Sequence, residues 1–184
     1  VVAGGGGGGK QYGAGGGAGG LRTGTGLPVN GGDILTYAVG GGGNRMPNAG
    51  SPCSSLTRGT SGSGSYLDNS PSFNIGTNGG GDGSAYITGY FNGTSGGCGG
   101  GGSSPSGAAG AGDTGTISSP LSGENTTRSP VVQGYAGAAG THAGNGGGGG
   151  GGGAGGVGQA GQPNPALGAN GGNAFISSIT GLTG

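Results

Sequence analysis

The stretch Ala154-Gly155-Gly156-Val157-Gly158-Gln159-Ala160-Gly161-Gln162-Pro163-Asn164-Pro165-Ala166-Leu167-Gly168-Ala169 repeats with a period of three. Ala154, Val157, Ala160, Pro163, Ala166 and Ala169 are apolar at every third position. The next register, Gly155, Gly158 and Gly161, is bare, and the third carries Gln159 and Gln162. A polyproline-II helix has three residues per turn, so the pattern predicts one small apolar face, one glycine face and one mixed face. Gly134, Gly137 and Gly140 keep the same phase. Such a helix satisfies none of its own backbone N–H and C=O groups. A glycine face lets neighbouring helices come close enough to bond laterally, at roughly 0.5–1.5 kcal/mol net per bond. If straight, residues 144–161 would form a rod on the order of 55 Å long.

Composition points the same way. Of 184 residues, 63 are glycine and 9 are proline, far beyond ordinary globular usage. Large apolar residues are few, with eight Leu, six Ile, seven Val and three Phe. A hydrophobic core of that size cannot offset the ordering entropy of so much glycine. Five cationic and five acidic residues balance, which argues against a strongly charged disordered tail. Collagen is excluded by the uninterrupted runs Gly4–Gly9 and Gly146–Gly153, because it needs glycine at every third residue. A flexible linker would show glycine diluted evenly with serine. The expected fold class is therefore irregular and all-β-like: a glycine-rich polyproline-II helix array with short β-strands and essentially no α-helix.

The chain reads as a single structural domain, 1–184, with a glycine arm at 1–43, a middle rich in Ser, Thr and Asn at 44–129, and a second glycine arm at 130–184. Strand-like runs are expected at 34–39, 84–91, 116–118, 130–135 and 174–182. Lys10, Arg22, Arg45, Arg58 and Arg128 lie singly, so no basic patch offers itself to nucleic acid. No apolar run approaches the roughly 20 residues that span a bilayer, so no membrane insertion is expected. The chain opens on Val1-Val2-Ala3 without an initiator Met or signal peptide, which suggests a trimmed product or one segment of a longer protein.

Several catalytic patterns occur as by-products of glycine abundance. Gly4–Gly9 with Lys10 imitates a phosphate loop, but Gln11 stands where Ser or Thr should hold magnesium and no helix follows. Gly93-Thr94-Ser95-Gly96-Gly97 imitates a nucleophile elbow, and Ser95, Asp113 and His142 fall in hydrolase order. The strand and helix that an elbow requires are not supplied by this composition. Asp82 within Gly79–Gly83 sits out of register for a calcium nonapeptide, and one His with two Cys makes no zinc site. No enzyme, cofactor or metal is expected.

Cys53 and Cys98 form an even pair in a chain with little core, which reads either as one disulfide or as two free buried thiols. A disulfide would contribute roughly 3–4 kcal/mol and favour an oxidising, extracellular or virion setting. Asn92-Gly93-Thr94 and Asn125-Thr126-Thr127 are glycosylation sequons. The termini are unusually apolar: Val1 and Val2 at one end, Phe175, Ile176 and Ile179 at the other. Frayed ends are normally polar, so these five are the candidate assembly residues, with the C-terminal run docking on a glycine arm of its own chain or a neighbour.

Val1-Val2-Ala3 with Gly4–Gly9, then Gly15–Gly17 through Ala18-Gly19-Gly20-Leu21-Arg22-Thr23-Gly24-Thr25-Gly26-Leu27, resembles the glycine-rich domains of bacteriophage tail-fibre and adhesin proteins. So do Val131-Val132-Gln133-Gly134-Tyr135-Ala136-Gly137 and Gly171-Gly172-Asn173-Ala174-Phe175-Ile176-Ser177-Ser178-Ile179-Thr180-Gly181. The resemblance covers the two arms and leaves 44–129 unmatched. It implies a non-enzymatic virion component, in which layered polyproline-II helices carry loops that bind a cell-surface glycan or protein. The candidate loops here lie within 44–78 and 113–129. The partners it implies are copies of the chain itself or neighbouring fibre segments. The rival expectation is a self-polymerising extracellular filament subunit of a microbe.

Overall fold

The computed structural model describes residues 1–10, 12–45, 58–69, 72–86, 89–105, 107–113, 133–141, 146–163 and 168–177. Among them there is no helix, and the regular elements are three strands: β1 (Thr36–Ala38), β2 (Ser65–Asn69) and β3 (Phe73–Thr77). They form one antiparallel sheet in the order β1-β2-β3. Thr36, Tyr37 and Ala38 pair with Asp68, Leu67 and Tyr66, and Ser65 through Asn69 pair with Thr77 back to Phe73. β3 alternates strictly enough to make a half-buried strand, with Phe73, Ile75 and Thr77 inside and Asn74 out.

The rest of the described chain runs up and down in short glycine-rich segments that bond sideways. Segment 146–153 displays the logic most plainly. The carbonyls of Gly147, Gly150 and Gly153 accept from Thr141, Ala138 and Tyr135. Those of Gly148 and Gly151 accept from Ala169 and Gly172, and those of Gly149 and Gly152 from Gly15 and Ala18. Successive residues thus face three different neighbours, and the order repeats every third residue. A strand, with a period of two, could reach only two.

Segment 97–103 sits at the centre. Its backbone bonds to six others, namely 13–22, 78–86, 90–95, 107–113, 133–141 and 146–153. The bonding arranges the segments in three layers. One holds 40–45, 1–9, 13–22, 146–153 and 168–174; the next holds 58–64, 78–86, 97–103, 133–141 and 155–162; the last holds 90–95 and 107–113. Residues 97–104 and 146–153 are buried throughout. Among the described residues the buried apolar side chains are Ala3, Ala14, Phe73, Ile75, Ala85 and Cys98. Cohesion therefore comes from the backbone more than from side-chain transfer.

Glycine is required where neighbouring segments touch. Gly134, Gly137 and Gly140 face segment 97–103, and a Cβ on them would overlap the carbonyl oxygens of Gly97, Gly100 and Ser103. Gly158 and Gly161 likewise face the carbonyls of Gly150 and Gly147, while Val157 of the apolar register is 60% exposed. The glycine face of the three-fold pattern is thus the packing face, and the apolar one turns outward.

Four expectations are corrected. The straight rod at 144–161 does not form, because the chain reverses at residues 154–156 and Gly153 donates to Gly156 O at 2.9 Å. Folding back lets 155–162 satisfy the amides of Gly147, Gly150 and Gly153, which a lone rod would leave to water. The expected run at 84–91 is not a strand among its described residues. Ser84, Ala85 and Tyr86 donate in turn to Gly101, Tyr90 and Lys10, three separate partners instead of one ladder. Residues 133–135 and 174–177 are not strands either. Of the run 34–39, β1 forms at its centre, and 116–118 lies outside the described residues.

Candidate functional site

The up-and-down course gathers features at two ends. Gly9, Tyr86 and Ser103 lie at one end, and the sheet, Val1 and residues 174–177 lie at the other. At the turn end, Tyr12 takes a left-handed conformation (φ 48°), uncommon for a bulky residue. Its ring meets Tyr86 edge to face at 5.8 Å, and Tyr86 meets Phe91 at 6.0 Å. Beside them Arg58 lies 5.6 Å from the centroid of Tyr90 and donates to Asn92 O. Arg58 also pairs with the buried carboxylate of Asp82, which accepts further from the hydroxyls of Ser61 and Thr94. Asp82, considered above as a calcium ligand, is thereby occupied in holding segments 58–64, 78–86 and 90–95 together.

The sheet end is apolar and open. One sheet face carries Phe73 and Ile75, both buried, then Leu67, then Tyr37 opposite it. Along that face exposure rises steeply outward: Ile75 is 2% exposed, Tyr37 73% and Val39 79%. Ile34 is 81% exposed, and residues 31–37 are exposed without exception. Asp33 stands at the start of this excursion, where its carboxylate accepts from Asn30 N at 2.9 Å and Asn69 Nδ2 at 3.0 Å. The Asn30 backbone bond first, and then Asn69, hold its carboxyl below the ordinary aspartate value. Arg22, buried, donates to Gly76 O at 3.1 Å and ties the first arm to β3.

The terminal residues divide. The Val1 amine donates to Arg22 O at 2.8 Å, and Val2 bridges Leu21 while remaining largely exposed. Segment 168–173 docks on the glycine arm of its own chain through Ala169 to Gly148 and Gly172 to Gly151. The contact is made by backbone, however: Phe175 is half-buried and Ile176 is 65% exposed. Ile179 lies outside the described residues.

The described residues of the catalytic look-alikes have other partners. Ser95 Oγ accepts from Ala111 N, and Asp113 accepts from the side-chain amides of Asn78 and Gln133. His142 lies outside the described residues. The amides of Gly4, Gly6, Gly7 and Gly9 donate to Ser63, Gly17, Thr60 and Ala14 and so cradle nothing. Among the described residues no group of three or more His, Cys, Asp or Glu could hold a metal. Cys98 is buried, with Sγ 3.6 Å from Gly19 O, and Cys53 lies outside the described residues. Asn92 Oδ1 accepts from Ala108 N, and Asn125 lies outside them as well.

What sequence reasoning missed is the β2–β3 hairpin and the exposed face that continues onto β1. The period of two in Phe73, Ile75 and Thr77 was the signal available for it. No family model, no curated protein and no solved structure matches the chain.

Proposed function

We propose that this chain is a non-enzymatic structural module of a fibre, similar to those of phage tail fibres, built as a polyproline-II array and self-associating. The observation that carries the reading is the three-fold lateral bonding of 97–103 and 146–153. Three residues per turn with no internal bonds is the signature of polyproline-II, and laterally bonded helices make a stiff body without a large core. Stiffness is the property a fibre needs. In this reading the two ends face outward, and the aromatic group Tyr12, Tyr86 and Phe91 together with the loops within 44–78 and 113–129 offer surfaces to a cell-surface glycan or protein. The setting is extracellular or virion.

Far-UV circular dichroism of the purified chain is expected to show the polyproline-II signature and to lack the double minimum of α-helix. Electron micrographs then separate the settings. Fibres on virions support the tail-fibre reading, and filaments of one repeating chain support a self-polymerising microbial filament. The second reading is favoured by the exposed apolar edge at β1. Rapid amide exchange through all of 146–161 would reduce the array to a linker and overturn both.

A further inference from the structure

We propose that β1 is a self-recognition edge, through which two copies of this chain pair their sheets about a two-fold axis at Tyr37. The inference rests on the self-association reading and names its surface. β1 is a border strand, paired with β2 on one side only. Among the described residues, no backbone hydrogen bond outside the sheet reaches 34–39. Such an edge presents a row of N–H and C=O groups that an extended backbone would complete. Natural edges are normally guarded by Lys, Pro or a bulge. Here Ile34-Leu35-Thr36-Tyr37-Ala38-Val39-Gly40-Gly41-Gly42-Gly43 contains neither a charge nor a proline.

The partner's chemistry follows from what lines the edge. Tyr37 lies at the centre of β1 with Leu35 and Val39 flanking the strand at alternate positions, and Tyr37 shares a face with Leu67 and the buried Ile75. An uncharged, apolar strand is the complement, and this segment is its own. Antiparallel pairing with Tyr37 opposite the partner's Tyr37 sets Leu35 against the partner's Val39 and Thr36 against the partner's Ala38. Aromatic and aliphatic residues then oppose each other, with no like charges facing. Such a contact is isologous, so each half completes the other. It would also continue the β1–β2 ladder into a second three-stranded sheet, and more strands give a marginal sheet its stability.

The test is sedimentation velocity on the full chain, from low micromolar to near-millimolar concentration, for wild type and three variants. Tyr37→Lys and Val39→Lys place a guard charge on exposed positions of the edge. Val157→Lys alters another exposed apolar residue on a different segment. Wild type is expected to dimerise, the two edge variants to do so roughly tenfold more weakly or worse, and Val157→Lys to match wild type. Thermal melts confirm that each variant folds. Edge variants that dimerise like wild type, or equal loss in Val157→Lys, would overturn the proposal and leave self-association by another surface standing. A wild-type chain that stays monomeric throughout would overturn both the edge and the self-association reading.

Discussion

At Gly137 one hydrogen atom in place of a methyl group decides how close two backbones come. The position faces segment 97–103, and a Cβ there would run into Gly100 O. Gly41 is the opposite case, with nothing within 4 Å of where its Cβ would stand. Gly137→Ala is therefore expected to destabilise the chain by about 2 kcal/mol or more, because backbone cannot swing aside as a side chain can. Gly41→Ala is expected to be neutral or to stabilise by about 0.5 kcal/mol, since it removes freedom from the unfolded chain alone. Denaturant melts of the two variants check the contrast. Equal effects would mean that the glycines serve composition instead of contact.

The β1–β2–β3 sheet depends on local polar fixtures because so little apolar surface backs it. Asp33 is one: its carboxylate fastens Asn30 and the Asn69 side chain at the entrance to β1. Those bonds favour the charged form and set its folded pKa below the unfolded value. The stability they contribute is thus present above the unfolded pKa and is lost as the pH falls through the folded one. Acidification below about pH 4 should loosen this corner first. An NMR titration of the Asp33 carboxyl and the Asn69 side-chain amide follows it directly. Asp33→Asn should flatten that response, and unchanged Asn69 shifts through the acid range would remove Asp33 from this role.

For the whole molecule, protection should follow depth in the array. The amides of Cys98 through Ser103 and of Gly149, Gly150, Gly152 and Gly153 all donate to backbone carbonyls of neighbouring segments and belong to wholly buried segments. They are expected to exchange only through global unfolding, whereas exposed residues 31–35 should exchange within the dead time of the measurement. Hydrogen exchange read residue by residue tests this. Fast exchange at 97–103 would contradict the central place of that segment. Because most contacts join residues distant in sequence, loop closure adds to the ordering cost of the backbone and is expected to slow assembly of the layers.

The sequence by itself determined the class of the solution. A third of the residues being glycine left little from which to build a hydrophobic core or a helix, and the period of three at 154–169 marked out a glycine face. That information is local, carried by side-chain size and spacing. Only the tertiary structure decided where the chain turns back, as at 154–156, and which register faces which segment. Those choices follow from finding partners for buried N–H and C=O groups, a condition on all segments at once. Segment 97–103 lies in the middle of the chain yet becomes the hub, since its backbone can bond to neighbours from both arms. The exposed face of β1 belongs to the same category. Leu35, Tyr37 and Val39 look like any apolar alternation in sequence, and only the register with Leu67 and Ile75 puts them on a face whose cover gives out at the edge.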